Sequence, residues 1–122
     1  QRLCRKICPN CKTKVDIPKE VFEKAGISLD KIVPDPKNRN FLKGRGCEKC
    51  NQSGYRGRMA VLEALAVDDN IRDMVVRRAS SFEIKTYAVK AGMTTLRDDA
   101  VKKFCAGLTS LDEVLRITSE DE

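Results

Sequence analysis

The chain has 122 residues, 41% hydrophobic and 34% charged, with a net charge of +6, six cysteines, and neither histidine nor tryptophan. This balance suits one compact domain or two small subdomains and excludes a disordered tail. No apolar run approaches the ~18 residues of a membrane span, and without histidine no Ser-His-Asp or Cys-His catalysis is possible. Aromatic residues make up 5% of the chain, so the core is expected to be mostly aliphatic, and a metal would help a chain this small. The basic charge is spread along the chain and the last residues, Ser119-Glu120-Asp121-Glu122, are acidic. It reads as solvated surface, because a nucleic-acid face concentrates charge and interleaves aromatics with it. No signal-peptide pattern opens the chain. It starts on Gln1-Arg2-Leu3 without Met, as a piece cut from something larger would.

Residues 1–7 read as a short strand leading into Cys8-Pro9-Asn10-Cys11. Pro18 to Ala25 reads as a helix, with proline near its start and Gly26 past its end. The polar, proline-bearing stretch 33–40 is expected to project as a loop. Phe41 to Arg45 leads into Cys47-Glu48-Lys49-Cys50. Residues 58–64 suit a half-buried strand after a glycine-rich turn. After Asp68 the pattern becomes helical. Asp69 is expected to cap a helix carrying Ile71, Met74 and Val75. Ser80-Ser81-Phe82-Glu83 is a capping box ahead of a stripe of Ile84, Tyr87, Ala88 and Ala91. Thr95 to Asp98 is a similar box ahead of Val101, Phe104, Cys105 and Leu108, with Gly107 as breaker. Ser110 to Glu113 is another, ahead of Val114 and Leu115. The acid pairs Asp98-Asp99 and Asp112-Glu113 read as first-turn caps favoured by the helix dipole. The expected fold is α+β, mainly α: a Cys4 module with short strands over 1–57, then a strand and a small helical bundle over 58–122.

Cys8, Cys11, Cys47 and Cys50 carry the chemistry. A two-residue gap lets both sulfurs of a CxxC hook face one ion, and two hooks complete a closed tetrahedral set of the structural zinc type. Four thiolates on Zn²⁺ leave a formal charge of −2, which Lys12, Lys14, Arg45, Lys49, Arg56 and Arg58 lie near enough in sequence to offset. The competing reading is two redox or disulfide pairs, or thiols left reduced. Cys105, on a helical stripe, reads as a buried inert thiol, whereas for Cys4 the reading stays open, a solvent-facing position being one alternative if the chain is truncated. No Walker A pattern is present; Gly44-Arg45-Gly46 lacks its lysine and its spacing.

The motifs extend further. Arg5-Lys6-x-Cys8-Pro9-x-Cys11, then Gly46-Cys47-x-x-Cys50-x-x-Ser53-Gly54-Tyr55-x-Gly57-Arg58, then Ala91-Gly92-Met93-x-x-Leu96, Gly107 and Thr109 to Thr118 resemble the C-terminal region of the type II secretion and type IV pilus-assembly ATPases. The resemblance runs from residue 1 to about 118. It implies a non-catalytic part of a cytoplasmic hexameric motor, entered from the nucleotide-binding core through residues 1–7. Its ATP and Mg²⁺ would be bound elsewhere in the parent protein, so no activity is expected of this chain alone. Implied partners are neighbouring subunits and an inner-membrane platform protein, with no nucleic acid. The tetracysteine insertion favours an assembly motor over a retraction motor. Two other classes stay open. One is a nucleic-acid-binding zinc module, suggested by the charge. The other is a DnaJ-type zinc chaperone module, since Cys47-x-x-Cys50-x-Gln52-x-Gly54 departs from CxxCxGxG only at Gln52.

Overall fold

Residues 1–118 are described in a computed structural model, and the acidic stretch 119–122 lies outside them. β1 (Arg2–Ile7) pairs antiparallel with β4 (Tyr55–Val61), and β2 (Lys12–Lys14) pairs antiparallel with β3 (Leu42–Gly44). The helices are α1 (Lys19–Lys24), α2 (Leu29–Ile32), α3 (Asp69–Val76), α4 (Ser81–Lys90), α5 (Leu96–Cys105) and α6 (Leu111–Thr118). The fold is α+β, mainly helical, with the four hook cysteines gathered beyond the end of β1. No helix among the described residues is long and apolar enough to cross a membrane.

The register of the first ribbon explains a displaced strand. Arg5 faces Arg58, but Ile7 faces Tyr55. One residue, Lys6, therefore opposes two, Arg56 and Gly57, and Gly57 takes φ +81°. This is a β-bulge with its left-handed position filled by glycine. The glycine expected in a turn before residue 58 is thus inside the strand, which starts at Tyr55. The strand ends at Val61, not at 64, its last pairing being with Arg2. Beyond that point side chains replace the ladder. The Leu62 N–H donates to the Asp99 carboxylate at 2.9 Å, and the Glu63 carboxylate accepts the Leu96 N–H at 2.9 Å.

The helices start where local chemistry directs, with one shift. Asp68 instead of Asp69 caps α3, accepting the Ile71 N–H at 2.8 Å. Ser80, Thr95 and Ser110 oxygens accept the N–H groups of Glu83, Asp98 and Glu113, which satisfies donors that a helix start leaves open. Ala91 lies at the end of α4 and is exposed. Leu108 falls beyond α5, which Gly107 ends at φ +79°, and it is half-exposed. The loop at 33–40 does not simply project. Residues 34–38 are exposed, but Arg39 donates to the Val33 carbonyl and the Asn40 N–H donates to the Cys105 carbonyl at 2.8 Å.

Phe104, Val101, Ala100 and Cys105 of α5 meet Val114 and Ile117 of α6, Cys4 and Val61 of the ribbon, and Phe22 and Ile27 from α1 and its exit. The core is aliphatic around a ring cluster that composition did not suggest: Phe41 stacks on Phe104 at 5.1 Å, and Phe22 lies 5.3 Å from Phe41. Cys4, left open between core and solvent by the sequence, is buried here because it alternates onto the core face of β1 opposite Met59. Burial pushes the Cys4 and Cys105 thiols above their ordinary range.

The outer edge of β1 is closed by the end of the chain. Ile7 N–H donates to the Leu108 carbonyl, Thr109 Oγ1 donates to the Arg5 carbonyl at 2.8 Å, and Arg5 N–H donates to Glu113 Oε2 at 2.8 Å. Glu113, expected only as a first-turn acid, is fully buried. It also receives the Arg5 guanidinium at 2.9 Å and that of Arg116 at 2.8 Å. Burial alone would raise its carboxyl, but the Arg116 and Arg5 guanidinium groups and the Arg5 amide together lower it from 4.5 to about 2.

Removing this charge therefore has a defined cost. The two arginines are about half exposed and can turn to water, so Glu113→Gln should lie below the full cost of breaking a buried pair, at about 2–3 kcal/mol near neutral pH. A carboxyl lowered on folding stabilises above its unfolded pKa and loses that effect as pH falls through its folded one. The gap between wild type and variant should therefore narrow below pH ~4.5 and close near pH ~2. Urea denaturation of both proteins across that range, compared at the same pH and metal content, checks this.

Candidate metal centre

Cys8 follows β1 directly and Cys11 precedes β2, so the first hook is the turn between two strands. Cys11 N–H closes it on the Cys8 carbonyl at 3.3 Å. The second hook is a 3₁₀ turn over Glu48–Cys50, closed by Cys50 N–H on the Cys47 carbonyl at 3.3 Å. Asn51 and Gln52 then take φ +54° and +64°, curling the chain so that Gly54 N–H points at Cys50 Sγ, 3.2 Å away. Gln52 thus holds a left-handed position at the place where the CxxCxGxG pattern has glycine.

Backbone contacts join the hooks. Lys12 faces Gly44 across the β2–β3 pair, Cys8 N–H donates to the Gly54 carbonyl at 2.9 Å, and Arg45 N–H donates to the Cys11 carbonyl at 3.2 Å. The Gly44 and Gly54 main chains touch: a Cβ on Gly54 would lie 2.6 Å from the Gly44 oxygen. Sequence spacing did not reveal this contact, since a glycine between two hooks reads as a turn residue.

The four sulfurs lie within 4.8 Å of one another, and among the described residues this is the one group of His, Cys, Asp or Glu side chains placed to hold a metal. Cys8–Cys47 and Cys11–Cys50 are 3.8 Å apart, and Cys47–Cys50 is 3.6 Å apart. A disulfide needs about 2.05 Å, and all six cysteines are free. An ion with metal–sulfur bonds of about 2.3 Å at the centre of a thiolate tetrahedron gives edges of about 3.8 Å. The donor set therefore fits a four-coordinate, thiolate-preferring ion. Cys8, Cys11 and Cys50 are buried and Cys47 is partly exposed.

Hydrogen bonds to the sulfurs come from amides. Cys50 accepts from the Cys47 and Gly54 N–H groups, and Cys47 accepts from the Asn10 side chain at 3.2 Å. Burial would raise the Cys50 thiol, but those two amides bring it down to about 6. The Asn10 amide lowers Cys47. Burial outweighs the Gly46 amide at Cys11, which is pushed up to about 11. A divalent cation at the centre would hold all four as thiolates. Asn10 was missed in the sequence because it sits between two cysteines as a bare spacer. The cations expected to offset the cluster are all exposed. The hooks do, however, gather charge that looks spread along the sequence. The segments 2–14 and 42–58 meet here, each with five Lys and Arg, against Glu48 as their single acid.

Close packing of the two hooks yields a test. Gly54→Ala puts a methyl group into the Gly44 carbonyl at a position with φ +82°, and should destabilise by about 3 kcal/mol or more. The variant should also bind Co²⁺ more weakly than wild type, read from the thiolate charge-transfer band. Unchanged melting and Co²⁺ affinity would show that the hooks do not depend on this contact.

The family profile described as Type II/IV secretion system protein matches residues 1–116. The chain is 42% identical over 120 residues to the type IV pilus assembly ATPase PilB of Thermus thermophilus, covering 98% of this chain and 13% of that protein. It is 35% identical over 122 residues to the PilB of Myxococcus xanthus, covering 99% and 21%. It is also 35% identical over 122 residues to the type II secretion system ATPase E of Vibrio cholerae, covering 98% and 22%. The chain thus spans less than a quarter of the length of these curated relatives. A profile match over residues 1–116 and relatives 35–42% identical across nearly the whole chain make this protein a member of the type II/IV secretion system protein family.

Proposed function

We propose that the chain is the non-catalytic C-terminal part of a cytoplasmic hexameric ATPase that powers type II secretion or type IV pilus assembly, and that it holds one structural Zn²⁺ on Cys8, Cys11, Cys47 and Cys50. The convergence of four sulfurs at tetrahedral spacing carries the zinc reading, and the relatives named as assembly and secretion ATPases support the motor. With all four positions filled by protein, the ion braces and does not catalyse. ATP and Mg²⁺ would be bound elsewhere in the parent protein. The tetracysteine module and the strand and helices that follow it, up to Thr118, are proposed to act as one rigid unit. Support comes from their shared core, in which Cys4, Phe22 and Ile27 pack with Phe104 and Val114. The electropositive end suits an acidic surface on a partner, here proposed to be a neighbouring subunit or the inner-membrane platform protein, through which the motor would sit peripherally at the membrane.

The metal should be present at one ion per chain. Chelation should melt the hooks, since in such sites binding energy is folding energy. Metal analysis of wild type and Cys47→Ser checks the assignment, which fails if the variant keeps full zinc and full stability.

The mechanical role needs the full-length motor. Replacing Cys8 and Cys50 there and measuring hexamer content, ATP turnover and pilus or secretion output separately distinguishes a transmitting unit from a brace. Transmission predicts output well below what the remaining turnover supports. Output that only tracks turnover and hexamer content would reduce the module to a brace.

A further inference from the structure

We propose that Cys47 is the site at which peroxides oxidise this chain, forming a Cys47–Cys50 disulfide that opens the cluster and releases its metal. The inference rests on the zinc reading above and adds a reactive position to it. Three observations carry it. Cys8, Cys11 and Cys50 are 0%, 4% and 6% exposed, whereas Cys47 is partly open to solvent. Its sulfur is the one covered by a side chain, the exposed Asn10 amide, whereas Cys50 sits beneath the Cys47 and Gly54 backbone amides. Cys47 Sγ lies 3.6 Å from Cys50 Sγ within the same turn, against 3.8 Å from Cys8 Sγ on the other hook.

The chemistry balances as follows. The Cys47 thiolate attacks one oxygen of hydrogen peroxide, a sulfur–oxygen bond forms, the oxygen–oxygen bond breaks, and hydroxide leaves and takes a proton from the buffer. The resulting sulfenic acid is attacked by the Cys50 thiolate; the sulfur–sulfur bond forms, the sulfur–oxygen bond breaks, and a second hydroxide leaves and is protonated. Two thiolates supply two electrons, and one peroxide becomes two waters. Zinc changes no oxidation state. It leaves because Cys8 and Cys11 alone do not fill its tetrahedral shell. A dithiol reductant reverses the disulfide by exchange.

The zinc-loaded chain should be treated with hydrogen peroxide while a chromophoric chelator reports released zinc, with disulfides mapped by mass spectrometry at half-release. We expect the Cys47–Cys50 disulfide as the first product, Cys4 and Cys105 still reduced, and zinc rebinding after dithiothreitol. Asn10→Ala, which uncovers the Cys47 sulfur, should release zinc about tenfold faster or more relative to its initial content, the effect of losing one hydrogen bond to a charged acceptor. A Cys8–Cys11 disulfide as first product, or an unchanged rate in Asn10→Ala, overturns the proposal. A chain isolated without zinc would refute the zinc reading instead. Mapping which thiol oxidises first in that chain would still decide whether Cys47 is the reactive one.

Discussion

Closure of the chain between Cys11 and Cys47 is the constraint on which the rest depends. The intervening segment carries α1, α2 and Phe41, and its two ends are held where the sulfurs of both hooks converge. Loop closure costs entropy that grows slowly with length, so holding the ends together stabilises every contact the segment makes. Those contacts are at the centre of the molecule. Phe22 and Phe41 meet Phe104 of α5, so the hooks and the helical part share one apolar core.

β1 connects the two ends of this arrangement. Its last residue, Ile7, precedes Cys8, one edge pairs with β4, and the other is closed by Leu108, Thr109 and Glu113. A bare edge would expose unpaired donors and acceptors. Here a buried carboxylate takes one of them and is itself neutralised by Arg5 and Arg116. Arg5 also lies over the Tyr55 ring at 4.1 Å, and the Tyr55 hydroxyl meets that of Ser110 at 2.6 Å. Displacement of the hooks would therefore be felt at α6 through β1 and not through a flexible linker. This is the physical content of the proposed rigid unit.

Much of this was legible in the sequence. Doubled CxxC spacing located the cluster, and Ser80, Thr95 and Ser110 marked three helix starts because capping is a local effect written in adjacent residues. Long-range partners were not legible. Glu113 looks like any first-turn acid until β1 lies beside it, and Asp99 looks like a cap until Leu62 reaches it. Gly57 reads as a turn because nothing local separates a turn glycine from a bulge glycine. The charge near the hooks looked dispersed because the residues that bring segments 2–14 and 42–58 together were read for metal chemistry and not for what they carry with them.

On the proposed reading, apolar packing holds the helices of this small domain, and four thiolates on one ion would hold the hooks. Zinc-edge X-ray absorption on the purified protein tests this most directly. The account predicts stoichiometric zinc with four sulfur ligands at about 2.3 Å. A site with nitrogen or oxygen neighbours, or a folded chain with no metal and intact thiols, would contradict it.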